Sequence, residues 1–493
     1  IDFAQKNYKD NYVVVYKRTG EDKNVQKVEK PQITPVEVNR QDRSQFLTEI
    51  SEMTTEEIQP VFVDYNNDML VTSVKNDIPL LYKKNEENEL FNLSIVFDIG
   101  SYNNKKLPLA AGYFEYLGTS KYSPSQLKEE FYKLGCSYSI STGEDQTVLT
   151  LSGLNENFDK AFILLESVIT DLKAENEALK NLVSDVLKVR ADNKLNKETI
   201  LWDAMYSYGR YGARSPYTDI FTETELASLN PDELISIIKD LPNYKQKILY
   251  YGPLSSESIT SKLNSEYTLT NGTLKDAPVP VKYEELATGE NTVYVVNYPD
   301  MVQAEILMMT KKDLYDKEKI PYIALYNEYF GGGMAGIVFQ ELRESKALAY
   351  STFSSYSIPQ KKDRSHYNIA YIGTQSDKLP EAMAGLFGLL NEMPVSEITF
   401  NSAKDNLVQK FNTERITKSG VLNSYLSAQK LGLDHDIRKD IYERAKTITI
   451  EDIKKFQAEN VKDSKYTIMV LGDKNKLDIE TLSKYGKVKY LTL

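Results

Sequence analysis

An internal repeat constrains this chain more than any other feature. Tyr113-Phe114-Glu115-Tyr116-Leu117-Gly118 returns as Tyr326-Asn327-Glu328-Tyr329-Phe330-Gly331, an offset of 213 residues, and Ile248-Leu249-Tyr250-Tyr251-Gly252 returns as Ile468-Met469-Val470-Leu471-Gly472, an offset of 220. Two matches at nearly one spacing predict a duplicated domain of about that size. The 493 residues exceed what a single core supports, so division into domains is expected on length as well. The strand-like Tyr12-Val13-Val14-Val15-Tyr16-Lys17 resembles a third copy of the closing strand with no domain in front of it. The expected order is a tail strand of a preceding domain over 1–20, a charged linker over 21–60, a first repeat over 61–267, a linker over 268–291 carrying Pro278 and Pro280, and a second repeat over 292–493. The start at Ile1, without methionine or an apolar signal segment, agrees with a chain cut from something longer.

Within each repeat, helix and strand signals alternate. Ser123-Pro124-Ser125-Gln126 predicts a helix start with Ser123 as N-cap and Gln126 reaching back to it, and Gly135 supplies a left-handed stop. Ser137–Thr142 and Gln146–Ser152 alternate around the turn Gly143-Glu144-Asp145, a hairpin pattern. Residues 157–189 carry helical periodicity broken near 174–176, and Asn230-Pro231 and Thr449-Ile450 open further helices. Such runs predict an α+β fold in which helices pack on a largely antiparallel sheet.

Composition excludes several classes. With 60 basic against 71 acidic residues the net charge is −11, which repels phosphate backbones, so nucleic acid is not an expected partner. No apolar run is long enough for a membrane span. The single cysteine, Cys136, forms no intrachain disulfide and is expected as a buried strand thiol. His366 and His435 are the only histidines, far apart and beside charged residues. Both are expected as isolated surface side chains, which leaves almost nothing for an imidazole-based metal site. The Gly331-Gly332-Gly333 run lacks the Lys-Ser/Thr ending of a phosphate loop and is expected to break two helices.

The segment 329–350, Y-F-G-G-G-M-A-G-I-V-F-Q-E-L-R-E-S-K-A-L-A-Y, resembles the C-terminal domain of the M16 (pitrilysin/insulysin-like) zinc peptidases. Leu109-Ala110-Ala111, Leu117-Gly118-Thr119, Leu151-Ser152-Gly153-Leu154 and Asn157-Phe158-Asp159-Lys160-Ala161 also match the family's spacing, so the resemblance spans about residues 65 to 493. It implies two duplicated M16-type (LuxS/MPP-like) domains. M16 enzymes hold zinc with an H-x-x-E-H helix whose glutamate is the base. On this chain the first histidine falls on Gly112, the base on Glu115 and the second histidine on Tyr116, while the later glutamate ligand lands near Val189. The resemblance therefore implies no catalytic residue and no metal in this chain, with Glu115 a remnant base expected to pair as an ordinary helix carboxylate. Arg343 and Tyr350 match the family's arginine and tyrosine residue by residue, and the resemblance implies that they bind substrate across a closed chamber. The implied function is the non-catalytic half of an M16 zinc metallopeptidase. Its partners would be a catalytic half, in the same polypeptide or an upstream chain, that holds the zinc, and unfolded peptide substrate; a cell-envelope, periplasmic or secreted location follows from the same resemblance. The alternatives are a structural or assembly subunit, or a stand-alone peptide-binding protein without proteolysis.

Overall fold

The computed structural model describes residues 1–10, 12–20, 44–54, 56–75, 77–270 and 273–492. The chain divides into an N-terminal unit, residues 1–36, and a large unit, residues 37–493. The described part of the first contains one short helix, Asp2–Asn7, and then the stretch from Tyr12, which lies in no strand and exposes Tyr12, Val13, Val15 and Tyr16. Most of the expected 21–60 linker lies outside the described residues. Its later part includes the helix Gln45–Glu52, whose N-cap Ser44 accepts from the Leu47 N–H.

The large unit is built on two six-stranded sheets. The first contains β1 (Leu70–Val74), β2 (Ile78–Lys84), β3 (Leu90–Phe97), β4 (Cys136–Thr142), β5 (Thr147–Leu154) and β6 (Gln246–Gly252), in the order β1-β2-β6-β3-β5-β4. The second contains β7 (Thr292–Asn297), β8 (Gln303–Leu314), β9 (Ser351–Tyr356), β10 (Ser365–Gln375), β11 (Thr467–Gly472) and β12 (Lys487–Leu491), in the order β12-β7-β11-β8-β10-β9. Five lanes correspond one to one, β2-β6-β3-β5-β4 with β7-β11-β8-β10-β9, and the pairings β2–β6 and β7–β11 are both parallel inside otherwise mostly antiparallel ladders. This is the duplicated α+β domain that the repeat predicts. The local signals also appear in place: Ser123 and Gln126 form a reciprocal capping box, Gly135 adopts φ +61°, and Thr449 caps its helix with Asp452.

Each sheet buries both faces, and this explains the unbroken apolar runs in the inner strands. Along β8, Ala304, Ile306 and Met308 face the helices of their own domain, whereas Leu307 and Met309 face the other way. That second face is covered from the first domain by Ile200, Leu201 and Met205, on a helical run over 197–211. Trp202 stacks on Phe353 there at 5.9 Å, and Gly209 comes so close that an added Cβ would lie 2.7 Å from the Met309 sulfur. The arrangement is reciprocal. Leu81, Val96 and Leu249, on the outer face of the first sheet, pack with Val63, Tyr65 and Met69 against Val421 and Leu422 of the second-domain helix Gly420–Leu431.

The 268–291 segment joins the domains and is itself fastened to both. Leu286 N–H donates to the Arg210 carbonyl (2.9 Å), and Lys311 Nζ donates to the Glu285 carbonyl (2.9 Å). Arg210 Nη2 reaches Glu285 Oε1 at 2.5 Å, its guanidinium sits 4.9 Å from the centre of the Tyr367 ring, and Glu285 Oε2 accepts from the Ser365 N–H at 3.0 Å. Burial alone would raise the Glu285 carboxyl, but hydrogen bonds from Arg210 and Ser365 outweigh it and hold the group below its ordinary value.

One expectation is corrected. His366 is not a surface residue; it is fully buried on β10, 5.6 Å from the Tyr356 ring, with Nδ1 donating to the Ser357 carbonyl (2.8 Å) and Nε2 accepting from the Asp316 N–H (3.2 Å). Its charged sequence neighbours belong to the turn before β10, whereas strand alternation turns the imidazole inward. Burial lowers its pKa. His435 is at the surface as expected, between Asp434 and Asp440.

Candidate functional site

Helix α1 (Leu107–Phe114) and the two residues after it contain Gly112, Glu115 and Tyr116, where the resemblance places the metal motif. Leu107, Ala110, Ala111, Tyr113 and Phe114 are buried, which fixes the helix roll and leaves Glu115 and Tyr116 exposed at its C-terminal end. The Tyr113 hydroxyl donates to the Glu175 carbonyl (2.9 Å) and accepts from the Glu175 N–H (2.8 Å), tying α1 to the start of another helix, Asn176–Asn193. At Gly112 an added Cβ would touch only Leu182 Cδ1 on that helix, at 3.6 Å. Val189 lies seven residues further along, about 10 Å of helix rise, and is exposed.

The two helices thus meet, but a glycine, a phenol and aliphatic side chains stand where ligands would be needed. Among the described residues no three His, Cys, Asp or Glu side chains are grouped to hold a metal ion. These residues do not fit a zinc centre, because none offers an imidazole or thiolate and the carboxylate Glu115 stands alone. Glu115 also lacks the neighbour pairing expected of it: no hydrogen bond or ion pair engages it among the described residues, and its charge adds to burial in raising the Tyr138 phenol.

The second group lies beside the outer strand of the second sheet. Residues 320–331 run as a helix that ends in the π-helical turn Asn327–Gly331, where a Cβ on Gly331 would sit 1.8 Å from the Ser354 carbonyl oxygen of β9. Only glycine permits that approach, and Gly333 turns the chain with φ +66°. The glycine run therefore breaks two helices, as expected, and also lets the first one lie on β9. The chain re-enters a helix at Ile337–Phe339, continued by the π-helical turn Gln340–Ser345 that carries Arg343.

The structure brings Arg343 and Tyr350 together. The guanidinium carbon lies 4.7 Å from the Phe339 ring centre and 5.9 Å from that of Tyr350, within cation–π reach of both rings. A loose contact with Glu344 (3.8 Å) is its one ion pair among the described residues, and both partners are more than a third exposed. The loop to β9 is firmly set. Ala347 adopts φ +49°, its carbonyl accepts from Lys378 Nζ (2.8 Å), Leu348 N–H donates to the Leu342 carbonyl (2.8 Å), and Tyr350 N–H donates to the Gly373 carbonyl (2.9 Å). Tyr350 itself is 76% exposed. A firmly tied backbone thus leaves two donors, guanidinium N–H and phenol O–H, at the surface. Phe339 stands four residues before Arg343, on the same helical face.

The sequence profile described as Insulinase (Peptidase family M16) matches residues 80–215, and that of the Peptidase M16 inactive domain matches residues 229–407. An uncharacterized zinc protease of Rickettsia felis is 24% identical over 374 residues, 71% of this chain and 82% of that protein. The peptidase M16 inactive domain from Pseudomonas fluorescens superposes with a TM-score of 0.64 at 17% identity, covering 82% of this chain and 98% of that one. The periplasmic protease PqqL from Escherichia coli does so with a TM-score of 0.66 at 14% identity, covering 95% of this chain and 50% of that one.

Proposed function

Because the chain belongs to the M16 peptidase family, we propose that it is the non-catalytic half of an M16 zinc metallopeptidase, which encloses peptide substrate and supplies substrate contacts to the metal centre of a second half. One observation carries this reading: the donor pair Arg343/Tyr350 is assembled and exposed on a rigid loop, while the ligand positions on α1 are Gly112 and Tyr116. A structural subunit has no need of an exposed guanidinium beside an exposed phenol. A zinc ion, if held by the second half, would supply the activated water there; the described residues of this chain hold no ligand set for it. Arg343 and Tyr350 donate hydrogen bonds to the scissile carbonyl oxygen as it gains negative charge, and Arg343 adds its fixed positive charge.

Tyr12 to Lys17, exposed and β-prone, would complete the last sheet of a preceding catalytic domain, which agrees with the match to half of PqqL. The periplasmic location of that protein supports a cell-envelope location here. Among the described residues no helix is long and apolar enough to cross a membrane.

The test is hydrolysis of an unstructured peptide by this chain alone, by the matching catalytic half alone, and by the two mixed with zinc. Cleavage is expected in the mixture and to fall by about 10²–10³ in kcat with Arg343→Ala. Zinc-dependent cleavage by this chain alone, or an Arg343→Ala mixture as active as the wild type, would overturn the reading.

A further inference from the structure

The joint between the two domains holds a cavity of about 640 Å³. Its first wall is the turn around Tyr102, which is fixed to the β4–β5 hairpin: Ser101 N–H donates to the Gly143 carbonyl (2.9 Å) and Tyr102 N–H to the Glu144 carbonyl (3.0 Å). The joining segment forms the second, with Val281 N–H donating to the Tyr102 carbonyl (2.7 Å) and the Tyr283 ring meeting that of Tyr102 edge-on at 5.0 Å. The turn before β10 forms the third and brings Arg364 and Ser365. Lys361 of that turn crosses to Asp145 on the hairpin (3.2 Å), so the walls are tied to one another.

The inner acids of this lining already have partners. Asp98 is held by Lys247 (2.6 Å), Glu144 and Asp145 by Lys361 (3.9 and 3.2 Å), and Glu285 by Arg210 and the Ser365 N–H. What remains unpaired inside is a set of donors. The Tyr102 and Ser365 hydroxyls are buried, and neither meets a partner at hydrogen-bond geometry among the described residues. Ser365 is 2% exposed. Burial, with Glu144 nearby, raises the Tyr102 phenol, so it stays protonated and able to donate. Arg364 is half-buried, close enough to the Tyr102 and Tyr211 hydroxyls for its charge to act on both, and no hydrogen bond or ion pair engages its guanidinium among the described residues. The acids without a partner, Glu284 and Asp363, are exposed at the rim. Unpaired buried donors are costly and call for an acceptor.

We propose that this cavity binds a small organic monocarboxylate that bridges the two domains. The carboxylate lies on the Arg364 guanidinium, whose paired N–H groups match its two oxygens, and accepts from the Tyr102 and Ser365 hydroxyls. The apolar body lies against the Tyr102 and Tyr283 rings, Pro280 and Val281. Charge specifies the class. Acidic side chains outnumber basic ones around the cavity, so a doubly charged phosphate is repelled more strongly than a singly charged carboxylate. The volume falls in the range of small-molecule sites, and position between domains is where such sites concentrate. A ligand touching both domains and the joining segment binds only the folded chain and therefore stabilises it. The proposal needs neither peptide cleavage nor a partner half, so it stands or falls apart from the M16 reading.

The experiment titrates the full chain with phenylacetate and follows binding by saturation-transfer NMR of the phenylacetate ring protons. Saturable binding with a dissociation constant of about 1 mM or lower is expected for a ligand of this size. Phenylacetamide, which keeps the shape and loses the charge, should bind at least about tenfold more weakly, and so should phenylacetate to Arg364→Leu. Tyr102→Phe keeps the ring and removes only the unpaired hydroxyl, and should weaken binding about three- to tenfold. Arg343→Ala should leave it unchanged, which separates the cavity from the exposed guanidinium elsewhere on the surface. No saturation at about 20 mM phenylacetate, equal affinity for phenylacetamide, binding unchanged in either cavity variant, or binding lost in Arg343→Ala would overturn the proposal.

Discussion

Replacing Glu285 by glutamine tests the joint between the two domains. The carboxylate is 7% exposed and its Arg210 partner 21%, and Oε2 also accepts the Ser365 N–H. Removing one charge of a buried pair typically costs 3–5 kcal/mol, because the other is left uncompensated. Arg210 keeps one-fifth of its side chain in water and its contact with Tyr367, so the lower end of that range applies, about 3 kcal/mol. The double variant Arg210→Met/Glu285→Gln removes the stranded charge while leaving an acceptor for Ser365, and should recover about 1–2 kcal/mol of the loss. Urea unfolding followed by circular dichroism measures both. The pH dependence adds a sign. Since the Glu285 carboxyl is held below its ordinary value, its stabilisation is full above about pH 4.3, the unfolded value, and is lost as pH falls through the folded one, so the gap between wild type and Glu285→Gln should close in acid. A single variant costing less than about 1 kcal/mol, or a double variant worse than the sum of both singles, would refute the argument.

Phe339→Leu keeps a half-buried apolar side chain but removes the ring 4.7 Å from the Arg343 guanidinium. It should lower kcat of the mixed halves about three- to fivefold with KM unchanged, the worth of an exposed cation–π contact, and a shift in KM alone would show that Phe339 does not act through Arg343. His366 has a depressed pKa from burial, so between about pH 6.5 and its folded value the unfolded chain binds a proton that the native one does not, and stability falls as pH drops. Thermal melts from pH 7 to 5 should be flatter for His366→Phe than for the wild type, and parallel curves would contradict the assignment of a neutral imidazole.

Much of this fold is legible in the sequence because its signals are local. The capping box at Ser123, the left-handed Gly135 and the hairpin at Gly143 act over a few residues, and the duplicated motifs predict the matching lane order of the two sheets. The Arg343/Tyr350 pair comes instead from the resemblance to M16 peptidases, and the fold sets the guanidinium 5.9 Å from the Tyr350 ring centre. What sequence reasoning misses is long-range. Nothing near His366 announces the Tyr315 and Tyr356 rings that bury it. The partnership of Arg210 with Glu285 spans 75 residues, and charged residues in a proline-interrupted stretch read as a solvated linker until the fold closes on them.

The exchange of helices between the two sheets bears on covalent continuity. Val279 is 87% exposed on the joining segment, within reach of a protease. A cut there would sever one peptide bond but leave Ile200, Leu201 and Met205 buried against one sheet and Val421 and Leu422 against the other. The nicked protein is therefore expected to run as one particle in size-exclusion chromatography and to separate only in denaturant. Fragments that came apart in native buffer would show that the chain, rather than the crossed packing, holds the domains together.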